Sequence, residues 1–137
     1  MKVLVMYVDE FGYTPAQKNL EEAEDITEGA VFKDSIAAFI QVEAEDEEYD
    51  VKSREKKLVN HLKWTARKND CKKIILHSFA HLSDSKASVE FTKELFDRAE
   101  KRLQNGGYET AQTPFGYFLD LNIKAPGHSL ARIWATL

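Results

Sequence analysis

His77, His81, Cys71 and the turn Pro114-Phe115-Gly116 are the residues here whose types and spacing could do chemistry. His77 and His81 stand four apart in KKIILHSFAHLSD, a metal-ligand spacing when both lie on a helix. This stretch reads instead as a strand running into a loop, so the spacing gives them no common face and no metal site is expected. His81 is then a catalytic histidine or one that caps loop backbone. Cys71 falls in a helix-to-strand turn without a motif around it and reads as structural. Pro114-Phe115-Gly116 has the residue types of a tight turn, which either presents backbone groups to a ligand or simply reverses the chain. Trp64 and Trp134 could stack a base, although packing is the commoner fate of tryptophan. The chain has no G-x-x-x-x-G-K-[ST], G-x-G-x-x-G or G-x-S-x-G motif, so phosphate-loop, dinucleotide and nucleophile-elbow chemistry is not indicated and no cofactor is expected.

The elements that must position these residues can be read from periodicity. KVLVMYV, residues 2–8, is an apolar, β-rich run with Asp9 at its expected end. Residues 14–34 are polar and acidic and read as a long connection holding one short helix at most. SIAAFIQVEAE, 35–45, reads as a second buried strand, and DEEYD as a loop. Residues 51–69 read as a helix, with Leu58, Leu62 and Ala66 on one face and Lys52, Lys56, Lys63 and Arg67 turned to water. KKIILHSF, 72–79, is a third strand. Residues 88–104 form a helix with Phe91, Leu95, Ala99 and Leu103 in register, stopped by Asn105-Gly106-Gly107. YETAQT is a short strand. GYFLDLNIKA alternates as a strand, with Tyr117, Leu119, Leu121 and Ile123 on one face. HSLARIWATL reads as a short helix or a final strand. The order β–β–α–β–α–β–β predicts a single α/β domain, a mixed sheet with two long helices packed on it.

At 137 residues and 43% hydrophobic, the chain fits one domain with one core. A single cysteine excludes an internal disulfide and a four-cysteine zinc site. No apolar run reaches membrane-spanning length and the N-terminus has no signal-peptide core, so a soluble, cytoplasmic protein is expected. The net charge of -4 is unevenly spread. Residues 1–50 hold 14 acidic and 3 basic side chains, whereas 51–73 hold 9 basic and 2 acidic. Such a basic block is either a footprint for phosphates or a solvated helix face.

Taken together, SFAHLSD (78–84) and PFGYFLDLNIKAPGHSLA (114–131) resemble the N-terminal editing domain of archaeal threonyl-tRNA synthetase. The opening KVLVMYVDEFGY, with Asp9 and Tyr13, and AAFIQVE (37–43) fit the same family, so the resemblance spans the chain. It implies a fold like that of D-aminoacyl-tRNA deacylases, a homodimer, and no metal or cofactor. It implies hydrolysis of L-serine mischarged on the threonine tRNA, with the terminal ribose 2′-OH assisting water. The implied partner is the aminoacylated 3′ end of tRNA, with a separate threonyl-tRNA synthetase as a further partner of a freestanding or excised domain. By resemblance, Ala80, His81, Phe115 and Gly116 carry the catalytic loops. Val42, Tyr117, Phe118, Leu119, Asp9, Tyr13 and Arg132 border the substrate, Asp9 and Tyr13 on its adenosine side. The family has a Lys and a Glu where this chain has Leu119 and Arg132. Two other readings therefore remain: a non-catalytic relative that binds RNA or an amino acid or serves as a dimerisation module, and a deacylase with another aminoacyl-tRNA substrate.

Overall fold

A computed structural model describes residues 1–137. Its spine is one long strand, β1, Lys2–Lys18, paired antiparallel to β2, Ala30–Gln41. Asp9 therefore lies inside a strand rather than at its end, and the expected connection over 14–34 is shorter: 14–18 and 30–34 are strand, 19–29 connect them, and no helix forms there. The reason is local. No residue of 14–18 or 30–34 is fully buried, so these arms need no continuous apolar face and their composition mimics a loop. Pro15 is tolerated in it because the pairing with the neighbouring strand shifts register between Pro15 and Gln17.

DEEYD is likewise more ordered than a plain loop: a 3-10 turn spans Ala44–Glu48. Helix α1, Val51–Lys68, follows, with the Asp50 side chain accepting from the Lys52 amide at 3.0 Å. Strand β3 is Lys73–Ser78 and helix α2 is Val89–Asn105, whose first turn is capped by Ser88 accepting from Phe91 N–H at 3.2 Å. Strands β4, Glu109–Gln112, and β5, Tyr117–Lys124, come next. The C-terminal stretch forms both of its expected alternatives, a 3-10 turn at Ser129–Ala131 and then β6, Arg132–Thr136.

The sheet is mixed, in the order β4-β3-β2-β1-β5, with β6 also on β1. β3 runs parallel to both β2 and β4. The outer edge of β1 is shared: β6 pairs with Lys2–Met6, and β5 with Glu10–Lys18. Both helices cover one face. Leu58, Leu62 and Ala66 of α1 and Leu95, Ala99 and Leu103 of α2 are fully buried there against Val3, Val5, Ile36, Ala38, Ile40, Ile74 and Leu76. Each of the Leu, Ile and Val side chains contributes about 1.5–3 kcal/mol by leaving water. The opposite face carries a smaller cluster, Val8, Phe11, Ala37, Phe39 and Ile75, to which the helices add nothing. No helix is long and apolar enough to cross a membrane.

Candidate active site

Alternation along β2 sends Ile36, Ala38 and Ile40 under the helices and Ala37, Phe39 and Gln41 to the other face. Gln41, 2% exposed, is the polar member of that second row. Its amide holds the loop after β3 with all of its hydrogen-bonding capacity. Its oxygen accepts from Leu82 N–H at 2.6 Å and Ser83 N–H at 2.8 Å. Its nitrogen donates to the carbonyls of Ser83 at 2.8 Å and Ser85 at 2.7 Å. Glu43 accepts from the Ser83 hydroxyl at 2.7 Å. Burial alone would raise the Glu43 pKa, but its bonds to the Met1 ammonium and to Ser83 outweigh this and lower it. Phe79 N–H bonds to Ile40 and Ala87 N–H to Val42, both at 2.9 Å. Residues 79–87 are thus pinned to the end of β2 from start to finish.

The second wall is the Pro114-Phe115-Gly116 turn. Gly116 has φ +86°, a backbone state that favours glycine, and a Cβ there would meet Ala23 Cβ at 2.9 Å. The Gly116 carbonyl accepts from Asn19 N–H at 2.8 Å. The Tyr117 hydroxyl donates to the Glu24 carbonyl at 2.6 Å and accepts from Ile26 N–H at 2.9 Å. The β1–β2 connection is thereby stitched to the turn.

Between the two walls lies a cavity of about 450 Å³. Ala80, His81, Val42, Phe115, Gly116, Tyr117, Phe118 and Leu119 all line it, so eight of the eleven residues proposed from the sequence meet in one place. Asp9, Tyr13 and Arg132 do not. Tyr13 stacks on Phe32 and pairs with Leu121, which is itself a lining residue. Asp9 sits by Tyr7, whose pKa it helps to raise after burial and Asp34. Arg132 pairs with Met6, whereas Leu119 pairs with Pro15. At about 3.3 Å per residue, those two positions lie roughly 30 Å apart along β1. Arg132 instead donates to the Pro126 carbonyl at 2.6 Å.

The cavity also holds residues to which the sequence reading gave no role there. His77 lies in its wall, 5% exposed, among Phe11, Phe39 and Phe79, with Nδ1 2.8 Å from the Thr113 hydroxyl. Burial pushes its pKa down to about 4, so the ring is neutral near pH 7. The signal was a histidine closing an apolar run, IILH. Lys86 is the one lysine or arginine on the lining. Its neighbours Ser85 and Ala87 are both hydrogen-bonded to the end of β2 and the residues after it. His81 packs edge-on against Phe79, ring centres 4.9 Å apart. No Asp or Glu lines the cavity, and no group of three or more His, Cys, Asp or Glu is placed to hold a metal.

A mixed sheet with both helices on one face, and a cavity at the sheet end between two loops and the start of α2, defines the class by fold: a single α/β domain. A solved structure described as a c-Myc DNA unwinding element binding protein superposes with a TM-score of 0.67, covering 100% of this chain and 99% of its own. Its identity is only 13%, so that likeness bears on the fold alone. The family is narrower: the chain belongs to the archaea-specific editing domain of threonyl-tRNA synthetase, matched over residues 1–137. Similar proteins include the threonine–tRNA ligases of Methanopyrus kandleri, 29% identical over 138 residues, and Thermococcus onnurineus, 29% over 140. Both matches cover 100% of this chain but 22% of the ligase. The ligase of Nitrosopumilus maritimus is 28% identical over 133 residues. The chain therefore spans about a fifth of the length of these curated relatives.

Proposed function

We propose that the domain is an editing deacylase that hydrolyses the ester of L-serine mischarged on threonine tRNA. The observation that carries this reading is a cavity of about 450 Å³ between the 79–87 loop and the Pro-Phe-Gly turn, in a chain of the editing-domain family. That volume is in the usual range for small-molecule sites and suits an aminoacyl-adenosine better than a bare amino acid. Serine lacks one methyl of threonine, which is worth only about 1–3 kcal/mol in a binding pocket, so a separate hydrolytic site is needed to reach fidelity. Val42 and Ala80 are the small apolar lining residues suited to exclude that methyl.

The chemistry follows from what lines the cavity. It has no carboxylate to serve as general base, and His77 is held neutral against Thr113. An aminoacyl ester is already activated. A water oriented beside the vicinal ribose 2′-OH, with backbone N–H groups of the two loops facing the developing oxyanion, is then sufficient machinery. His81 binds the substrate amino group or ribose from the rim. Lys86 supplies a positive charge on this lining that Leu119 does not. Because Leu119 and Arg132 pair with distant positions of β1, the two departures from the family pattern act separately within one chain.

The substrate implies tRNA as partner and the cytoplasm as location. The apolar face opposite the helices leaves Trp134 52% exposed beside Leu4, and we propose that a second copy of the chain covers it. His81→Ala is expected to slow single-turnover release of serine by at least about tenfold, in the range of a lost binding or proton-transfer group. An unchanged rate removes His81 from the site. A second reading, a non-catalytic binding domain, is favoured by one observation: the family lysine is replaced by Leu119 in the cavity wall.

A further inference from the structure

Helix α1 has an outer face that nothing in the deacylase reading uses. Lys52, Lys56, Lys63 and Arg67 follow one another at helical spacing, forming a row along one edge of that face. Lys57 and Lys68 mark the other edge. Ser53, Asn60 and Trp64 lie between the two rows. None of the six cations forms an ion pair, although Glu55 on the same helix pairs with both Arg98 and Arg102 of α2. Trp64 is 41% exposed. His61 stacks on it at 6.1 Å and 23°, and the Lys68 ammonium sits 5.8 Å from its ring centre. The His61 Nε2 is buried without a hydrogen-bond partner, so Trp64 is the exposed member of the pair.

We infer that this face of α1 is a docking surface for the phosphate backbone of an RNA. The inference rests on the aminoacyl-tRNA reading and extends it to a surface away from the cavity. Unpaired cations cost folding free energy by mutual repulsion and return it when counterions or phosphates lie between them. The row from Lys52 to Arg67 is about 22 Å long at 1.5 Å per residue, enough for several phosphates. A membrane is the poorer occupant, because the apolar residues of α1, Trp64 apart, point into the core. An acidic protein would not account for an exposed indole, Trp64, backed by His61, set beside the cations and open to a base or ribose.

The test measures binding of a deacylated acceptor-stem hairpin ending in CCA, as a function of salt, for the wild type and for Lys52→Gln/Lys56→Gln/Arg67→Gln. Lys101→Gln on α2 is the control. Affinity should fall at least about tenfold in the triple variant, and the slope of log K against log salt should flatten by about 2. An unchanged affinity and slope overturns the inference. So does equal binding of polyglutamate or of anionic vesicles that competes with the hairpin. Should the triple variant misfold, Trp134→Phe leaves Trp64 as the sole tryptophan. RNA must then quench its fluorescence, and absence of quenching overturns the inference. Hydrolysis of seryl-CCA, too short to reach α1, reads the deacylase separately. Unchanged hairpin binding in the triple variant with that activity intact breaks this inference alone, and inactivity of the wild type on seryl-CCA breaks the other.

Discussion

His77 is a titratable ring in an apolar environment. A ring that is half cationic near pH 6.5 in water is enclosed by three phenylalanines and satisfied by one threonine. With its folded pKa near 4, the unfolded chain takes up the proton first as pH falls. Stability is therefore full above about pH 6.5 and declines between there and pH 4, by about 3 kcal/mol from this residue. Urea midpoints at pH 7.5 and 4.5 should differ more for the wild type than for His77→Phe. Equal pH dependence of the two would show that the ring is not buried neutral. The same neutrality bars His77 from acting as a cationic acid at pH 7 and fits a hydrogen-bonding place in the cavity wall.

At the scale of elements, the site depends on one side chain at the end of β2. Gln41→Ala leaves Leu82 N–H and Ser83 N–H without their acceptor and frees the Ser83 and Ser85 carbonyls. A loss of about 1–3 kcal/mol is expected. Amide exchange should quicken in 82–87 while Ile74–Leu76 stay protected. Protection unchanged in the loop would contradict the clamp. Gln41 was hard to find in the sequence because a polar residue at a strand end is ordinary there; its value comes from a loop forty residues later. The helices were legible because Leu58, Leu62, Ala66 and Leu95, Ala99, Leu103 bury at a strict period. The mixed sheet followed from the order of elements. The hairpin arms at 14–18 and 30–34 were not legible, since none of their residues is fully buried and they need no apolar alternation. The cavity residues near Ala80 and Phe115 were legible only through the joined motifs, because neither loop carries a conventional catalytic group. Arg132 was grouped with them by resemblance, and the long β1 places it elsewhere in the chain.

The whole molecule divides its two sheet faces unequally. One is sealed by α1 and α2. The other carries an apolar surface around Leu4, Met6 and Trp134, and the cavity opens at the sheet end, reached by both faces. A patch of that kind favours self-association. Sedimentation should show a dimer at micromolar concentration, and Trp134→Glu should shift it to monomer without loss of helix content. A monomeric wild type would contradict the pairing. Charge is divided as well, with an acidic first third followed by the basic α1.

The most direct test of the central claim is hydrolysis of seryl-, threonyl- and D-aminoacyl-tRNA for threonine by the purified chain, side by side with a no-enzyme control. The account predicts fast loss of serine with threonine spared, achieved with Leu119 and Arg132 in place. No acceleration of any of the three esters would contradict it, and would leave the cavity as a binding site alone.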